Sequence, residues 1–140
     1  MNTGQRLALR IGLDDTDHPL SGCTTSTFDE LLSLLVARIP DIHIIERGLV
    51  RLWPFAARRT RGNGALRAEV SILQSSKGEF RNLCCEWFEG VLEEVANHPN
   101  SSISAAPVLL VSENLPPEEW YWEAVTAHVD LQHRMASIND

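Results

Sequence analysis

The chain has 140 residues, of which 44% are hydrophobic and 22% are charged, so it can build one domain with a sizeable core. Its net charge of -7 argues against non-specific binding of polyanions, although six of its twelve Lys and Arg residues lie between Arg47 and Arg67. The chain has three cysteines and no CxxC pair, which argues against a disulfide framework and a zinc site and predicts a reducing, cytoplasmic location. It shows no recognisable signal peptide, and it has no apolar run of about 18 residues, the length that a membrane span needs.

Hydrophobic spacing predicts four strands and three helices. In chain order they are a strand at 7–13, a helix from Thr27 to Pro40, a strand at 42–52, a strand at 65–73, a helix at 79–97, a strand at 107–111 and a helix after Pro116. Thr27 and Glu30 form a capping box, and Gly48 marks a bulge or bend in the second strand. The first six elements follow the ferredoxin-like βαββαβ pattern. We therefore predict a single α+β domain over residues 1–140, with a mostly antiparallel sheet, helices packed on one face and an added C-terminal helix.

Three carboxylates follow the first strand within four residues: Asp14, Asp15 and Asp17. Acids this close repel one another and destabilise the fold unless a positive group lies between them. Hard oxygen ligands in such a group suit Mg²⁺, which takes one or two carboxylates and leaves its other positions to water and phosphate. The cluster therefore predicts a magnesium site. The alternative is an Asp-rich turn in which Asp17 or Ser21 caps the next helix.

A second polar segment, Arg58-Arg59-Thr60-Arg61-Gly62-Asn63-Gly64, interrupts the pattern between the second and third strands. Arginine binds phosphate oxygens with a planar fork, and glycines let backbone N–H groups approach an anion closely. The segment therefore predicts a phosphate-binding loop. The alternative is a solvated hairpin loop with a type I′ turn at Asn63-Gly64.

The two segments together indicate a polyphosphate site, provided that the first and second strands lie side by side. Magnesium on the carboxylates and arginines opposite would then clamp the phosphates, as phosphoryl transfer requires. Thr24 and Thr25, at the start of the first helix, would add hydroxyl groups and a helix N-terminus to the same site. The chain contains neither a P-loop motif nor a GxGxxG motif.

Four short motifs occur in order: Ile11-Gly12-Leu13-Asp14-Asp15-Thr16-Asp17, Gly22-Cys23-Thr24-Thr25, Leu49-Val50-Arg51-Leu52 and Thr60-Arg61-Gly62-Asn63-Gly64-Ala65. In this order they resemble the N-terminal, kinase-like domain of the archaeal 2-agmatinylcytidine synthetase of the minor isoleucine tRNA. The resemblance implies that ATP phosphorylates and so activates the C2 oxygen of the wobble cytidine, and that agmatine then displaces this oxygen. It also implies that Asp14, Asp15 and Asp17 bind metal and nucleotide, and that Thr24 is autophosphorylated.

The chain departs from that family at Trp53-Pro54-Phe55, where members carry Asn-Pro-Asn, and at Ala57-Arg58-Arg59-Thr60, where they carry Pro-x-Lys-Thr. Members also continue well beyond 140 residues, with a glycine-rich segment, an OB-fold and a zinc ribbon that hold the tRNA. We therefore interpret the chain as a fragment or as a short stand-alone relative.

Two functions, and also a plain structural α+β domain, are compatible with these observations. The first is an ATP- and Mg²⁺-dependent phosphotransferase or ligase with Asp14, Asp15, Asp17 and Thr24 as catalytic residues. In that case the nucleotide is bound by Gly22, Thr25, Arg59, Thr60, Arg61, Gly62, Asn63 and Gly64. The second is a non-catalytic module that binds a nucleotide or a partner protein, which the negative charge and the missing tRNA-binding domains favour. The residues themselves indicate a nucleotide partner, whereas tRNA and agmatine follow only from the resemblance.

Overall fold

The computed structural model describes residues 4–14, 24–51, 64–97, 107–114, 118–127 and 132. Its elements are β1 (Arg6–Asp14), α1 (Thr24–Arg38), β2 (His43–Arg51), β3 (Gly64–Leu73), a 3₁₀ turn (Gln74–Ser76), α2 (Lys77–Ala96), β4 (Val108–Ser112) and α3 (Glu118–Thr126). The predicted α+β class and the predicted order of elements are confirmed. Among the described residues, no helix combines the length and the apolarity needed to cross a membrane.

The four strands form one sheet in the order β2-β3-β1-β4, and all three pairings are antiparallel. The condition that the first and second strands lie side by side is not met, because β3 lies between them. The helical crossover through α1 makes β1 and β2 parallel, and β3 pairs with both in the antiparallel sense. This arrangement is the split βαβ unit of ferredoxin-like folds.

The core lies between one face of the sheet and the two long helices. Alternate residues of β1 and β3 are buried on that face, because successive side chains of a strand point to opposite sides. The core comprises Leu9, Ile11, Leu13, Phe28, Leu31, Leu32, Leu35, Ile39, Ile42, Leu66, Ala68, Val70, Ile72, Phe80, Leu83 and Cys84. The prediction that helices pack on one face is confirmed for α1 and α2. The other side of the sheet, called the open face below, carries Arg10, Gly12 and Asp14 of β1.

The first helix begins earlier than its predicted capping box. It starts at Thr24, so Thr27 and Glu30 lie inside it and the predicted cap is wrong. Thr24-Thr25-Ser26-Thr27 is a run of four hydroxyl residues, and each type is a competent N-cap. Local sequence therefore did not distinguish which of the four marks the boundary.

The bulge in β2 lies at a different residue from the predicted one. The register with β3 shifts between Ile44 and Glu46, whereas Gly48 pairs regularly with Arg67. A Cβ atom at Gly48 would lie 3.5 Å from Nε of Arg67. A contact at this distance is ordinary, and the regular pairing of Gly48 with Arg67 shows no bulge at this residue.

Asp41 closes the end of the sheet at which β1 begins and β3 ends. Its Oδ2 accepts a hydrogen bond from the backbone N–H of Leu73 at 2.7 Å, and its Oδ1 accepts one from the hydroxyl of Ser76 at 2.8 Å. The guanidinium of Arg6 donates to the backbone carbonyl of Asp41 at 2.7 Å. The Leu73 hydrogen bond is the main cause that lowers the pKa of Asp41, and it outweighs the opposing effect of desolvation. Asp41 therefore stays ionised and joins three segments.

Candidate functional site

Four strand termini meet at the other end of the sheet. Asp14, the last residue of β1, pairs with Val108, the first residue of β4, and Arg51 at the end of β2 pairs with Gly64 at the start of β3. We call these four residues the Asp14 end of the sheet. Segments 15–23 and 52–63, which carry most of the residues predicted from sequence, connect to the sheet at this end.

The aspartate segment and the arginine segment leave the sheet from adjacent strands. Leu13 near the end of β1 pairs with Leu66 near the start of β3. Neighbouring strands lie about 4.8 Å apart, so the attachment points of the two segments are close. The sequence prediction assumed that β2 would bring the segments together, but the contact between β1 and β3 brings their attachment points together.

Only part of the predicted site falls within the described residues. Asp14 is half-buried and lies on the open face by register, and Gly64 is the first residue of β3. Because Gly64 already pairs with Arg51, segment 52–63 connects β2 to β3. Thr24 and Thr25 are the first two residues of α1. The others lie outside the described residues, and their roles stay predictions: Asp15, Asp17, Gly22, Arg59, Thr60, Arg61, Gly62 and Asn63.

The start of α1 is electrostatically suited to an anion. Unpaired N–H groups and the helix dipole give a helix N-terminus a partial positive charge. The first turn of α1 contains no acidic residue that would neutralise this charge. Asp29, in the second turn, instead bonds Arg47 of β2 at 2.8 Å, which ties the helix to the strand that leads into segment 52–63.

Two described arginines of the open face, Arg67 and Arg10, are already engaged by acids. Arg67 donates to Glu46 at 2.9 Å, and this hydrogen bond lowers the pKa of the Glu46 carboxyl. Arg10 lies 3.6 Å from Glu69 and donates to the backbone carbonyl of Glu113 at 3.0 Å, while its buried Nε donates no hydrogen bond. Arg67 and Arg10 are thus both paired, and phosphate binding by Arg59 and Arg61 stays a prediction.

Sequence reasoning missed two residues beside Asp14. Val108 and Leu110 of β4 are 60% and 57% exposed, and their register with Asp14 and Gly12 places them on the open face. The run Val108-Leu109-Leu110-Val111 is apolar throughout, so it carries no alternation that would show which two residues face solvent. The pairing of β4 with β1 is what reveals their position.

A separate cleft of about 420 Å³ lies on the helix side of the sheet, between α2 and β4. Leu9, Cys84, Phe88 and Val111 form much of its apolar lining, and none of its lining residues belongs to the predicted site. Among the described residues no group of three His, Cys, Asp or Glu could hold a metal ion, and of the three predicted aspartate ligands only Asp14 is described.

The chain is similar to known proteins over nearly its whole length. The sequence model of the TiaS TCKD domain matches residues 10–140. The tRNA 2-agmatinylcytidine synthetase TiaS of Pyrococcus horikoshii, an enzyme of an isoleucine tRNA, is 33% identical over 98 residues, which cover 70% of this chain and 23% of that protein. The enzyme of the same name from Thermococcus sibiricus is 28% identical over 125 residues, which cover 88% of this chain and 28% of that protein.

Solved structures with this fold include a crystal structure of TiaS in complex with its isoleucine tRNA and ATP. It superposes with a TM-score of 0.72 at 20% identity, over 95% of this chain and 30% of that one. The crystal structure of apo TiaS gives a TM-score of 0.67 at 19% identity. The chain thus spans less than a third of the length of the proteins it matches. Because the family match extends over residues 10–140, the chain belongs to the family of the TiaS TCKD domain, the N-terminal domain of TiaS-like agmatinylcytidine synthetases of isoleucine tRNA.

Proposed function

We propose that this chain binds ATP with Mg²⁺ at the Asp14 end of the sheet and transfers a phosphoryl group. It would act as the kinase-like part of a ligase that modifies the wobble cytidine of the minor isoleucine tRNA with agmatine. One observation carries the proposal. β1 and β3 are neighbours at this end, so the aspartate segment and the arginine segment leave the sheet side by side.

The metal would be held by the carboxylates of Asp14, Asp15 and Asp17. Mg²⁺ supplies positive charge between the phosphates and leaves part of its coordination sphere to them. Carboxylate oxygens are donors that the ion prefers, and Asp14, the last residue of β1, attaches the group to a paired strand. Arg59 and Arg61 bind phosphate oxygens from the opposite side, where guanidinium groups stabilise the charge that develops during transfer.

The phosphoryl group would pass to Thr24 at the start of α1. In that step the bond between the γ-phosphorus and the bridging oxygen breaks, and a bond from the γ-phosphorus to the threonine hydroxyl oxygen forms. The hydroxyl proton leaves to a neighbouring carboxylate, and ADP departs. The partial positive charge of the helix N-terminus would stabilise the transferred anion.

The proposed partners beyond ATP rest on similarity. One crystal structure with this fold contains TiaS with its isoleucine tRNA and ATP, and another contains TiaS with the same tRNA, AMPCPP and agmatine. This chain spans 30% of those proteins and carries a net charge of -7, so nucleotide binding is the part of the reaction that we assign to its own residues. We place the protein in the cytoplasm, a location supported by its unbridged Cys84 and Cys85.

Calorimetry with ATP, in the presence and absence of Mg²⁺, tests the proposal. We expect clear binding only with the metal, and a loss of affinity in Asp15→Asn but not in Asp29→Asn, which changes an exposed aspartate that pairs with Arg47. Equal affinity with and without Mg²⁺, or unchanged affinity in Asp15→Asn, would refute the metal site. If ATP binds but no phosphoryl group is ever transferred, the non-catalytic binding module is the better description.

A further inference from the structure

The strand β4 forms one edge of the sheet, and within the described part of the chain no strand pairs with its outer side. An unpaired edge presents backbone N–H and C=O groups to any strand that comes beside it. Folded proteins protect such an edge with charged residues, with proline or with a bulge. β4 has none of these protections, since its sequence is Val-Leu-Leu-Val-Ser and its pairing with β1 is regular. The outer side of β4 is therefore able to accept a further strand.

The opposite edge of the same sheet is protected. β2 carries the charged side chains of Glu46, Arg47 and Arg51, and its register with β3 shifts between Ile44 and Glu46. Charges and a register shift both hinder the addition of a strand at an edge. The two edges thus differ, and the β4 edge is the one suited to pairing with another chain.

Both sides of β4 are apolar. Val108 and Leu110 lie on the open face and are 60% and 57% exposed. Leu109 and Val111 lie on the helix side and line the cleft between β4 and α2. A strand that adds to this edge continues both surfaces, so it buries most apolar area if both of its own sides are apolar. Of the four described strands, β4 alone contains no charged residue. The strand that best matches the β4 edge is therefore β4 of a second copy.

One flank of α2 stands beside β4 and contains no acidic residue. Its members are three or four positions apart, so they lie along one side of the helix: Lys77, Arg81, Cys85, Phe88 and Leu92. The first four line the cleft next to β4, and Leu92 is 43% exposed. We call these five residues the α2 flank. Its two cations lie at one end, and its two large apolar side chains lie at the other.

The middle of the α2 flank is level with the middle of β4. Lys77 forms an ion pair with Glu113, one residue beyond the end of β4. The helix and the strand run in opposite directions, because α2 follows the end of β3 and β4 starts beside Asp14 at the other end of the sheet. Eight helical residues from Lys77 to Cys85 span about 12 Å, and three strand residues from Glu113 back to Leu110 span about 10 Å. Cys85 therefore stands beside Leu110.

We propose that two copies of this chain form a dimer through β4 and the α2 flank, about a two-fold axis that passes through Leu110. The two β4 strands pair in the antiparallel sense, so Leu110 of each copy lies opposite Leu110 of the other, and Leu109 lies opposite Val111. The two four-stranded sheets then form one continuous sheet. The two α2 flanks also run antiparallel, which places Arg81 of one copy near Phe88 of the other and keeps the cations of the two copies apart.

Sedimentation equilibrium without nucleotide tests the dimer independently of the proposed function, because the monomer has a mass of 15.6 kDa and the dimer has twice that mass. Leu110→Lys places two ammonium groups opposite each other at the axis. Leu49→Lys is the matched control, because Leu49 is 53% exposed and lies on β2, the opposite edge strand. Leu92→Lys brings a cation of one α2 flank towards the cations of the other, at an exposed position where lysine suits a helix. This variant keeps the test valid if Leu110→Lys disturbs the sheet.

We expect the wild-type chain to dimerise with a dissociation constant of about 1–100 µM, as for a small interface. Leu110→Lys should raise this constant at least ~30-fold, because a two-fold axis makes one substitution act in both copies. Leu92→Lys should raise it about tenfold, and Leu49→Lys should change it by less than about twofold. A short bis-maleimide should link Cys85 of one copy to Cys85 of the other, and this link should be absent in Cys85→Ser and in Leu110→Lys.

Each other outcome overturns the proposal in a different way. A monomeric mass at every concentration up to about 1 mM shows that no dimer forms. A dimer that Leu49→Lys disrupts and Leu110→Lys leaves intact assigns the interface to β2. An unchanged dissociation constant in both Leu110→Lys and Leu92→Lys places the interface away from β4 and α2. A crosslink that persists in Cys85→Ser, with none mapped to Cys85 in the wild-type chain, refutes the two-fold arrangement of the α2 flanks.

Discussion

Replacing Asp41 with alanine should destabilise the fold without touching the nucleotide site. The substitution removes two hydrogen bonds to an ionised carboxylate, from Leu73 N–H at 2.7 Å and from the Ser76 hydroxyl at 2.8 Å. The Leu73 N–H is part-buried and loses its partner. Hydrogen bonds to charged groups contribute about 1.5–3 kcal/mol each, and partial solvent access reduces the total, so we expect a loss of about 2–4 kcal/mol. That corresponds to a fall in Tm of roughly 6–12 °C for a domain of this size.

The stability that Asp41 contributes should depend on pH, and the lowered pKa of Asp41 determines the direction of that dependence. A carboxyl whose pKa is lower in the folded state stabilises the fold when the pH is above the ordinary carboxyl pKa, which is 3.8 for Asp41. That stabilisation disappears as the pH falls through the folded-state pKa. The stability difference between the wild-type chain and Asp41→Asn should therefore be constant near neutrality and shrink below about pH 4.

Thermal and urea unfolding, followed by circular dichroism, measure both effects. Asp29→Ala is the matched control, because it removes the same side chain from an exposed ion pair with Arg47, and exposed pairs contribute only about 0–1 kcal/mol. ATP affinity well below the Tm should be unchanged in Asp41→Ala, since Asp41 lies at the end of the sheet opposite Asp14. A Tm for Asp41→Ala within about 2 °C of that for Asp29→Ala would refute the reasoning from hydrogen bonds.

Three further predictions concern the site and the cysteines. Arg61→Ala should weaken ATP by about 1.5–3 kcal/mol with little change in Tm, since it removes a hydrogen bond to a charged ligand; a large fall in Tm with normal affinity would make the segment structural. Incubation with ATP and Mg²⁺ should place phosphate on Thr24, mapped by mass spectrometry, and Asp15→Asn should abolish it; unmodified Thr24, Thr25 and Thr27 with ATP bound would favour the non-catalytic module. Iodoacetamide at about pH 8 should alkylate exposed Cys85 before Cys84, because burial raises the pKa of Cys84 to about 12. Equal rates in the folded chain would contradict the burial of Cys84, and equal rates in guanidinium chloride are the control.

Local sequence patterns were reliable where one periodicity dominated. In the strand predicted at 65–73, Leu66, Ala68, Val70 and Ile72 alternate with polar residues. All four are buried, because alternate residues face one side of a pleated strand. The same patterns failed where several residues satisfied one rule. Four consecutive hydroxyl residues could each cap α1. The glycine at position 48 predicted a bulge there, but the register of β2 shifts near Ile45.

The sequence by itself determined the elements, their order, the buried side of β3, and the grouping of carboxylates and arginines into two segments. These properties depend on neighbours a few residues apart, so periodicity and residue chemistry encode them directly. Only the tertiary structure decided that β3 separates β1 from β2, and that Val108 and Leu110 stand beside Gly12 and Asp14. Residues 12 and 110 meet because their strands pair across the whole domain. Strand pairing is chosen by the packing of the entire sheet against its helices, which no local pattern contains.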